Sequence, residues 1–344
     1  MSNQKLYNLA VVGATGAVGE QITKLLETRD FPINEIKFLS SARSAGKKLT
    51  FKGAEYVIEE ATPDSFDGVE IALFSAGGDV SKVLAPEAAK RGAVCIDNTS
   101  AFRMDPNTPL VVPEVNPEQI AAHKGIIANP NCSTIQMVAA LKPLHDRYSI
   151  KRVIVSTYQA VSGAGASAIR ETLRQTRAVL DQEEVNPDVL PVGGLPVKHQ
   201  IAFNAIPQID KFTENGYTYE EMKMTNETKK IMGDDSIEVS ATCVRIPVIY
   251  GHSESVYVEF NNQFEVEEVK SLLENAPGIT LVDDPTNQLY PLATDAAGKP
   301  DVFVGRIRRD ITSEKGLNMW IVSDNLLKGA AWNAVQIAEY IAKG

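Results

Sequence analysis

Over the first 150 residues, short apolar runs alternate with stretches whose apolar residues recur every three or four positions. Tyr7–Val12 reads as a strand, and Val18, Ile22, Leu25 and Leu26 mark the buried face of a helix reaching about Thr28. Further strands are expected at 35–39, 69–74, 93–96 and 125–128, with a helix over 79–90. Apolar residues at Ile135, Val138, Ala139, Leu141 and Leu144 then predict a helix ending near Asp146. Strands alternating with helices imply a parallel sheet, whose carboxyl edge is where ligands sit. Beyond residue 150 the pattern changes. A long strand at 153–160 leads into a helix to about Leu180, and the proline- and glycine-containing stretch 181–198 reads as irregular. A strongly polar helix over 219–232 precedes strands at 237–247 and 255–260, a hairpin at 302–310 and 318–322, and an amphipathic helix at 326–342. Fewer helices between longer strands predict an α+β half with a mostly antiparallel sheet. The terminal helix is expected to return to the first half. No repeat, low-complexity tract or heptad pattern is present.

The first strand runs straight into Gly13-Ala14-Thr15-Gly16-Ala17-Val18-Gly19 and a helix. A strand, glycine turn and helix in that order is the opening unit of a dinucleotide-binding fold, because glycines admit the pyrophosphate to the backbone and the helix N-terminus offers N–H donors. The spacing is G-x-x-G-x-x-G, and an ordinary tight turn is the alternative. The expected fold is therefore α/β: a Rossmann-type dinucleotide-binding domain at 1–130 plus 326–344, and a second α+β domain at 131–325. After the second strand, Ser40-Ser41-Ala42-Arg43-Ser44-Ala45-Gly46-Lys47-Lys48 carries cations and hydroxyls and no carboxylate. An acidic residue there takes a ribose 2′-hydroxyl, whereas Arg43 can pair with a 2′-phosphate. The loop favours NADP, with a solvated basic loop as the alternative. The turn Ser75-Ala76-Gly77-Gly78 is a second candidate cofactor contact, and Arg103, past another strand end, is a candidate anion ligand or a surface ion pair.

In Ala128-Asn129-Pro130-Asn131-Cys132-Ser133-Thr134 the turn residues place Cys132 at or just ahead of a helix N-terminus. Unpaired N–H groups and the helix dipole favour an anion there, so the thiol ionises more readily, and the same donors can hold an oxyanion. A buried cysteine behind an Asn cap is the plain alternative. Of four histidines, His123 and His145 lie in polar contexts, His199 lies in the irregular stretch, and His252 follows the strand bearing Arg245. Arg245 interrupts an apolar run, which calls for a buried partner or a bound anion.

Net charge of −10 argues against nucleic-acid or acidic-membrane partners. The polar start at 1–5 does not resemble a signal peptide, and no apolar run reaches the roughly 20 residues of a membrane span. Three widely spaced cysteines form no metal-ligand pattern and no disulfide framework, so no metal is expected and a reducing, cytoplasmic setting fits.

Five motifs in order over nearly the whole chain resemble the aspartate-semialdehyde dehydrogenase family: Gly13–Gly19, the box at 130–134, Tyr158-Gln159-Ala160-Val161-Ser162-Gly163-Ala164-Gly165, Glu220-x-x-Lys223, and Arg245 followed by His252. The resemblance implies NADPH-dependent reduction of L-aspartyl 4-phosphate to aspartate 4-semialdehyde, serving the diaminopimelate/lysine, threonine and methionine pathways, by a homodimer. It implies Cys132 as nucleophile, His252 as general base and acid, and Gln159 positioning the acyl-thioester. It also implies Arg245 on the substrate α-carboxylate, Glu220 (or Glu221) on the ammonium, and Arg103, Lys223 and Asn131 on phosphate. The cofactor would touch Gly13, Thr15, Gly16, Ala17, Val18, the loop residues Ser40, Ser41, Arg43 and Ser44, then Ser162, Gly163 and Asn325. Three readings compete. N-acetyl-glutamyl-phosphate reductase shares the cysteine chemistry, but its acetamido substrate would leave Glu220 desolvated and unpartnered. A cysteine acyl hydrolase would leave the glycine turn unused, and a non-enzymatic dinucleotide-binding regulator would not need Cys132.

Overall fold

Leu9, Ala10, Val11 and Val12 are all buried, because their strand β1 (Tyr7–Val12) lies inside a parallel sheet covered on both faces. The computed structural model describes residues 5–343; residues 1–4, which carry most of the polar start, and Gly344 lie outside the described residues. The chain forms two compact units, one running through Asn131 and resuming at Ala330, the other Cys132–Gly329. These cuts fall one and four residues after those drawn from the sequence.

In the first unit, α1 (Ala17–Thr28) follows the glycine turn and β2 (Ile33–Ser40) returns beside β1. A hairpin of β3 (Lys48–Phe51) and β4 (Ala54–Val57) and the two-residue β5 (Glu59–Glu60) come next. Then come β6 (Ile71–Phe74), α2 (Gly78–Lys90), β7 (Val94–Asp97) and β8 (Ile126–Ala128). The strand order is β5-β2-β1-β6-β7-β8, and every pairing is parallel. The hairpin was not expected from the sequence. It is held by rings: Phe51 and Tyr56 lie 5.5 and 5.4 Å from Phe38 of β2, edge-on. The chain's last helix, Trp332–Lys343, packs Ala334, Val335, Ile337 and Ala338 into the same core, and Arg29 lies over the Trp332 ring at 4.2 Å.

The second unit opens with α3 (Cys132–Tyr148), which starts earlier than its apolar periodicity suggested and continues through Pro143. β9 (Ile150–Gln159), α4 (Ala166–Leu180), α5 (Tyr219–Met232), β10 (Glu238–Arg245), β11 (His252–Phe260), α6 (Val266–Glu274), β12 (Ile279–Leu281), β13 (Val302–Arg309) and β14 (Gly316–Ser323) follow. The sheet order is β10-β9-β11-β14-β13-β12. Its three central pairings are antiparallel and its two edge pairings parallel. One face, with Val153, Val155, Val256, Val258 and Met319, packs on Met137, Leu141 and Leu144 of α3, Met224 of α5 and Val269 of α6. Strand alternation turns Ile154, Tyr158 and Trp320 to the other face, which is more open.

The register gathers polar residues at one end of this sheet. Arg245 stands opposite Gln159, and His252 opposite Ser323, at the ends of four neighbouring strands. One step inward on the same face, Cys243 and Glu254 both stand opposite Thr157, and Glu254 opposite Ile321.

Candidate active site

In the first unit a cleft of about 290 Å³ lies at the carboxyl ends of the parallel strands. Gly13, Thr15, Gly16, Ser40, Ser41, Ser75 and Ala76 line it. The glycines differ in what they permit. Gly13 has φ +85°, and a Cβ there would meet the Ser75 carbonyl oxygen at 2.5 Å; a Cβ on Gly19 would lie 2.1 Å from the Gly13 oxygen. The first glycine makes the turn, and the last lets α1 press on it. Gly16 caps α1 without any side-chain hydrogen bond, so the N-terminus opening onto Ala17 and Val18 remains available to an anion. Thr15 and Ser40 share a 3.0 Å hydroxyl hydrogen bond at the rim. Ser44 is buried, whereas Arg43 is exposed and makes no ion pair among the described residues. One carboxylate escaped the sequence reading of this loop: β5 pairs with the end of β2, Ser40 opposite Glu60, and brings Glu60 into the cleft wall.

Arg103 is buried, not at the surface: Nε donates to the Asn129 carbonyl and Nη2 to that of Asn98 at 2.9 Å each. Asn129 bonds Asn98 and Asn333 in turn, and Asn131 is buried at the end of this unit.

In the second unit Cys132 is the first residue of α3, and its Sγ lies 3.2 Å from His252 Nε2. His252 was read as a turn residue; it is instead the first residue of β11 and is fully buried. Its Nδ1 accepts the Ala160 N–H at 3.0 Å. Burial, with the Arg245 cation next in weight, pulls the imidazole down to about 3, with Glu220 acting against them. Arg245 is itself buried and donates through Nη1 to the Ala160 carbonyl at 2.7 Å. Desolvation lowers its guanidinium from the usual value, opposed by Glu220 and the Cys132 sulfur. Two glycines leave room for the close packing around these side chains. A Cβ on Gly163 would stand 3.0 Å from Arg245 Nη1 and 3.3 Å from His252 Cε1, and one on Gly329 would stand 2.7 Å from Cys132 Cβ.

Gln159 Nε2 donates to Thr157 Oγ1 at 3.3 Å and to Glu220 Oε1 at 3.2 Å. Lys223 Nζ bonds Glu220 Oε2 at 3.2 Å and Asp210 Oδ2 at 3.0 Å. Glu221 is committed elsewhere. Its carboxylate accepts the Thr218 N–H in a capping box and the Cys243 N–H at 2.9 Å. Asn325 is buried, and its amide is engaged by Ser162 Oγ and the Gly251 N–H, bracing the turn ahead of His252. The remaining histidines stand apart. His123 and His145 are half-buried, not solvated, and each accepts a backbone N–H at Nδ1; His199 is exposed.

Three contributors went unnoticed in the sequence. Gln136, one turn after Cys132, is fully buried; Nε2 donates to the His252 carbonyl at 3.3 Å and Oε1 accepts from Ser323 Oγ at 2.8 Å. A polar residue within the apolar run 135–144 was the signal. Asp210 takes the far side of Lys223, for which the sequence offers no spacing rule. The Ala160 backbone amide leaves no trace in residue type at all. Among the described residues, no cluster of His, Cys, Asp or Glu could hold a metal ion, and no helix is long and apolar enough to cross a membrane.

Comparisons with known proteins agree along the length of the chain. A family profile described as "Semialdehyde dehydrogenase, NAD binding domain" matches residues 8–123, and one described as "Semialdehyde dehydrogenase, dimerisation domain" matches 141–328. The aspartate-semialdehyde dehydrogenase of Bacillus subtilis is 64% identical over 98% of this chain and 97% of its own. That of Aquifex aeolicus is 57% identical over 98% of each. Among solved structures, aspartate semialdehyde dehydrogenase II of Vibrio cholerae complexed with ASA superposes with TM-score 0.94 at 49% identity, covering 98% of this chain and 99% of that one. The Candida albicans enzyme with NADP gives TM-score 0.75 at 27% identity, with 98% of each chain covered.

Proposed function

Since the chain belongs to the aspartate-semialdehyde dehydrogenase family, with a nicotinamide dinucleotide as cofactor, we propose that it reduces L-aspartyl 4-phosphate to L-aspartate 4-semialdehyde with NADPH, releasing phosphate. The product would feed diaminopimelate/lysine, threonine and methionine synthesis. The observation that carries this reading is the Cys132–His252 contact at the start of α3 beside Arg245. Cys132 attacks the acyl carbon and forms a thioester, dividing one hard displacement into two easier steps. His252 attends the sulfur and the tetrahedral intermediates. Arg245 keeps its Nε/Nη2 edge for the substrate α-carboxylate, since Nη1 is held by Ala160. Glu220 receives the ammonium, Gln159 orients the thioester carbonyl, and Arg103, Asn131 and Lys223 receive phosphate.

When bound, the nicotinamide supplies the hydride. The glycine turn, with Thr15, Ala17 and Val18, would hold the pyrophosphate, Ser162 and Gly163 the nicotinamide end, and unpaired Arg43, with Ser40, Ser41 and Ser44, a 2′-phosphate. Asn325, already bonded within the chain, supports Ser162. A homodimer through the more open face of the second unit's sheet, around Ile154, Tyr158 and Trp320, and a cytosolic location suited to three free cysteines complete the proposal.

The test is a spectrophotometric assay with aspartate semialdehyde, phosphate and either NADP or NAD. Phosphate-dependent reduction of NADP is expected, abolished in Cys132→Ala. Arg43→Ala is expected to lower kcat/KM for NADP by about tenfold to a hundredfold, as loss of one charge-assisted contact does, with little change for NAD. Phosphate-independent turnover, or faster reduction of N-acetyl-glutamyl phosphate, would overturn the reading.

A further inference from the structure

We propose that Glu254 is a further positioning residue of the thiol site: through Gln136 it fixes the start of β11, and with it the His252 ring, as a hydrogen-bonding side chain and not as a charge. The inference deepens the reading above and rests on it only for the activity assay.

Glu254 stands where the sheet is otherwise apolar. Strand alternation puts it on the face of Val256 and Val258, which packs under α3. It is fully buried, between Thr157 of β9 and Ile321 of β14. Among the described residues neither carboxyl oxygen has a hydrogen-bond partner at full bonding distance. Burying such a group is costly unless something nearby takes up its hydrogen bonds.

Gln136 is the neighbour that can. Its amide carries two N–H donors and an oxygen with two lone pairs. One N–H goes to the His252 carbonyl at 3.3 Å, and the oxygen accepts from Ser323 Oγ at 2.8 Å. The second N–H has Glu254 beside it, and Gln136 is the one side chain whose hydrogen bonding bears on that carboxyl. The Ser323 hydroxyl can turn to donate or to accept, so it does not decide which end of the amide is nitrogen. The His252 carbonyl and the carbonyl oxygen of Glu254, both acceptors, decide it together. An uncharged carboxyl can also return its O–H to Gln136 Oε1, so it matches both edges of the amide.

The surroundings keep the acid uncharged. Desolvation raises its carboxyl well above the usual range, opposed only by the Gln136 amide. No cation acts on it. Arg245 of β10 faces Glu220 and the Cys132 sulfur, and Lys223 of α5 is held by Glu220 and Asp210. The groups with which His252 interacts electrostatically are Arg245 and Glu220. Glu220 and Glu221 of α5 and a Cys132 thiolate on α3 are anions, and each adds to the cost of another one. Thr157 and Gln159 of β9, Gln136 of α3 and Ser323 of β14 carry no charge.

Infrared difference spectroscopy of the full-length protein against Glu254→Gln, at neutral pH, reads the protonation state directly. A carboxylic-acid C=O band that moves in D₂O and is lost in the variant is expected. Glu254→Gln keeps a donor and an acceptor, and is expected to hold kcat and the rate of Cys132 alkylation by iodoacetamide within about threefold. Glu254→Leu, folded by circular dichroism, is expected to lose about tenfold to a hundredfold in kcat with KM for phosphate nearly unchanged, and to alkylate several-fold more slowly. Combining Glu254→Leu with Gln136→Met is expected to be no worse than the slower single variant by more than about threefold, since both break one connection. A carboxylate band in place of the acid, faster alkylation in Glu254→Gln, a Glu254→Gln as impaired as Glu254→Leu, a fully active Glu254→Leu, or losses that multiply in the double variant would each overturn the proposal. The infrared band and the alkylation rates involve no aspartate semialdehyde, so a failed activity assay with both as expected would sink the substrate assignment alone.

Discussion

Gln136 shows how much of a cysteine–histidine pair depends on a residue that touches neither reacting atom. Its amide joins the strand bearing His252 to the end of β14, one helical turn from Cys132. Gln136→Met keeps the length and removes both bonds, leaving a buried carbonyl and hydroxyl unpaired at a cost of about 1–3 kcal/mol each. The expected result is a folded enzyme by circular dichroism whose kcat falls about tenfold to a hundredfold, as small misplacements of reacting groups produce, with KM for phosphate changed less than threefold. Unchanged kcat would remove Gln136 from the account. Cys132, Arg245 and His252 were legible in the sequence because each is a chemically active residue at an element boundary or in an apolar run. Gln136 carried the same signal and was passed over, since one amide on a helix reads as a solvent-facing position. The helix-capping role of Glu221 was also written in the chain: Thr218-x-x-Glu221 is a capping-box pattern, which commits Glu221 to the helix start.

Among elements, the π-helical turn Leu327–Ala331 has the clearest bearing on the sulfur. Gly329 lies where a Cβ would press on Cys132 Cβ at 2.7 Å and Cα at 3.2 Å, so the start of α3 is seated against bare backbone. Gly329→Ala is expected to cost about 1–3 kcal/mol of stability by overpacking and to slow Cys132 alkylation several-fold, measured by denaturant unfolding and by mass spectrometry. A variant with native stability and native alkylation rate would show that this contact is slack. The strands and helices with strong periodicity were legible, α5 to the residue. What was missed was short or set by partners far along the chain. The β3–β4 hairpin depends on ring contacts with Phe38, and β5 has two residues and exists because the edge of β2 is open to it. That second omission mattered chemically, because β5 delivers Glu60 to a cleft that looked free of carboxylates.

At the scale of the whole molecule, the chain assigns dinucleotide chemistry to one unit and the thiol to another, and joins them where Asn131 meets Cys132. The division was visible as a change from strand–helix alternation to longer strands, but its second boundary was not. The first unit resumes at Ala330, within the π-turn, and Gly329 just before it is seated against Cys132 in the second unit. Pairing direction was also beyond the pattern of residues: β10 and β12 add parallel edges to an antiparallel centre, and alternation of apolar residues is the same in both. The account depends above all on a thioester at Cys132. Intact-protein and peptide mass spectrometry, after mixing with aspartate semialdehyde and NADP in the absence of phosphate, reads it directly. The predicted result is a single aspartyl adduct on the Cys132 peptide that disappears when phosphate is added. Phosphate-dependent turnover with no adduct at Cys132, or an adduct on another residue, would contradict it.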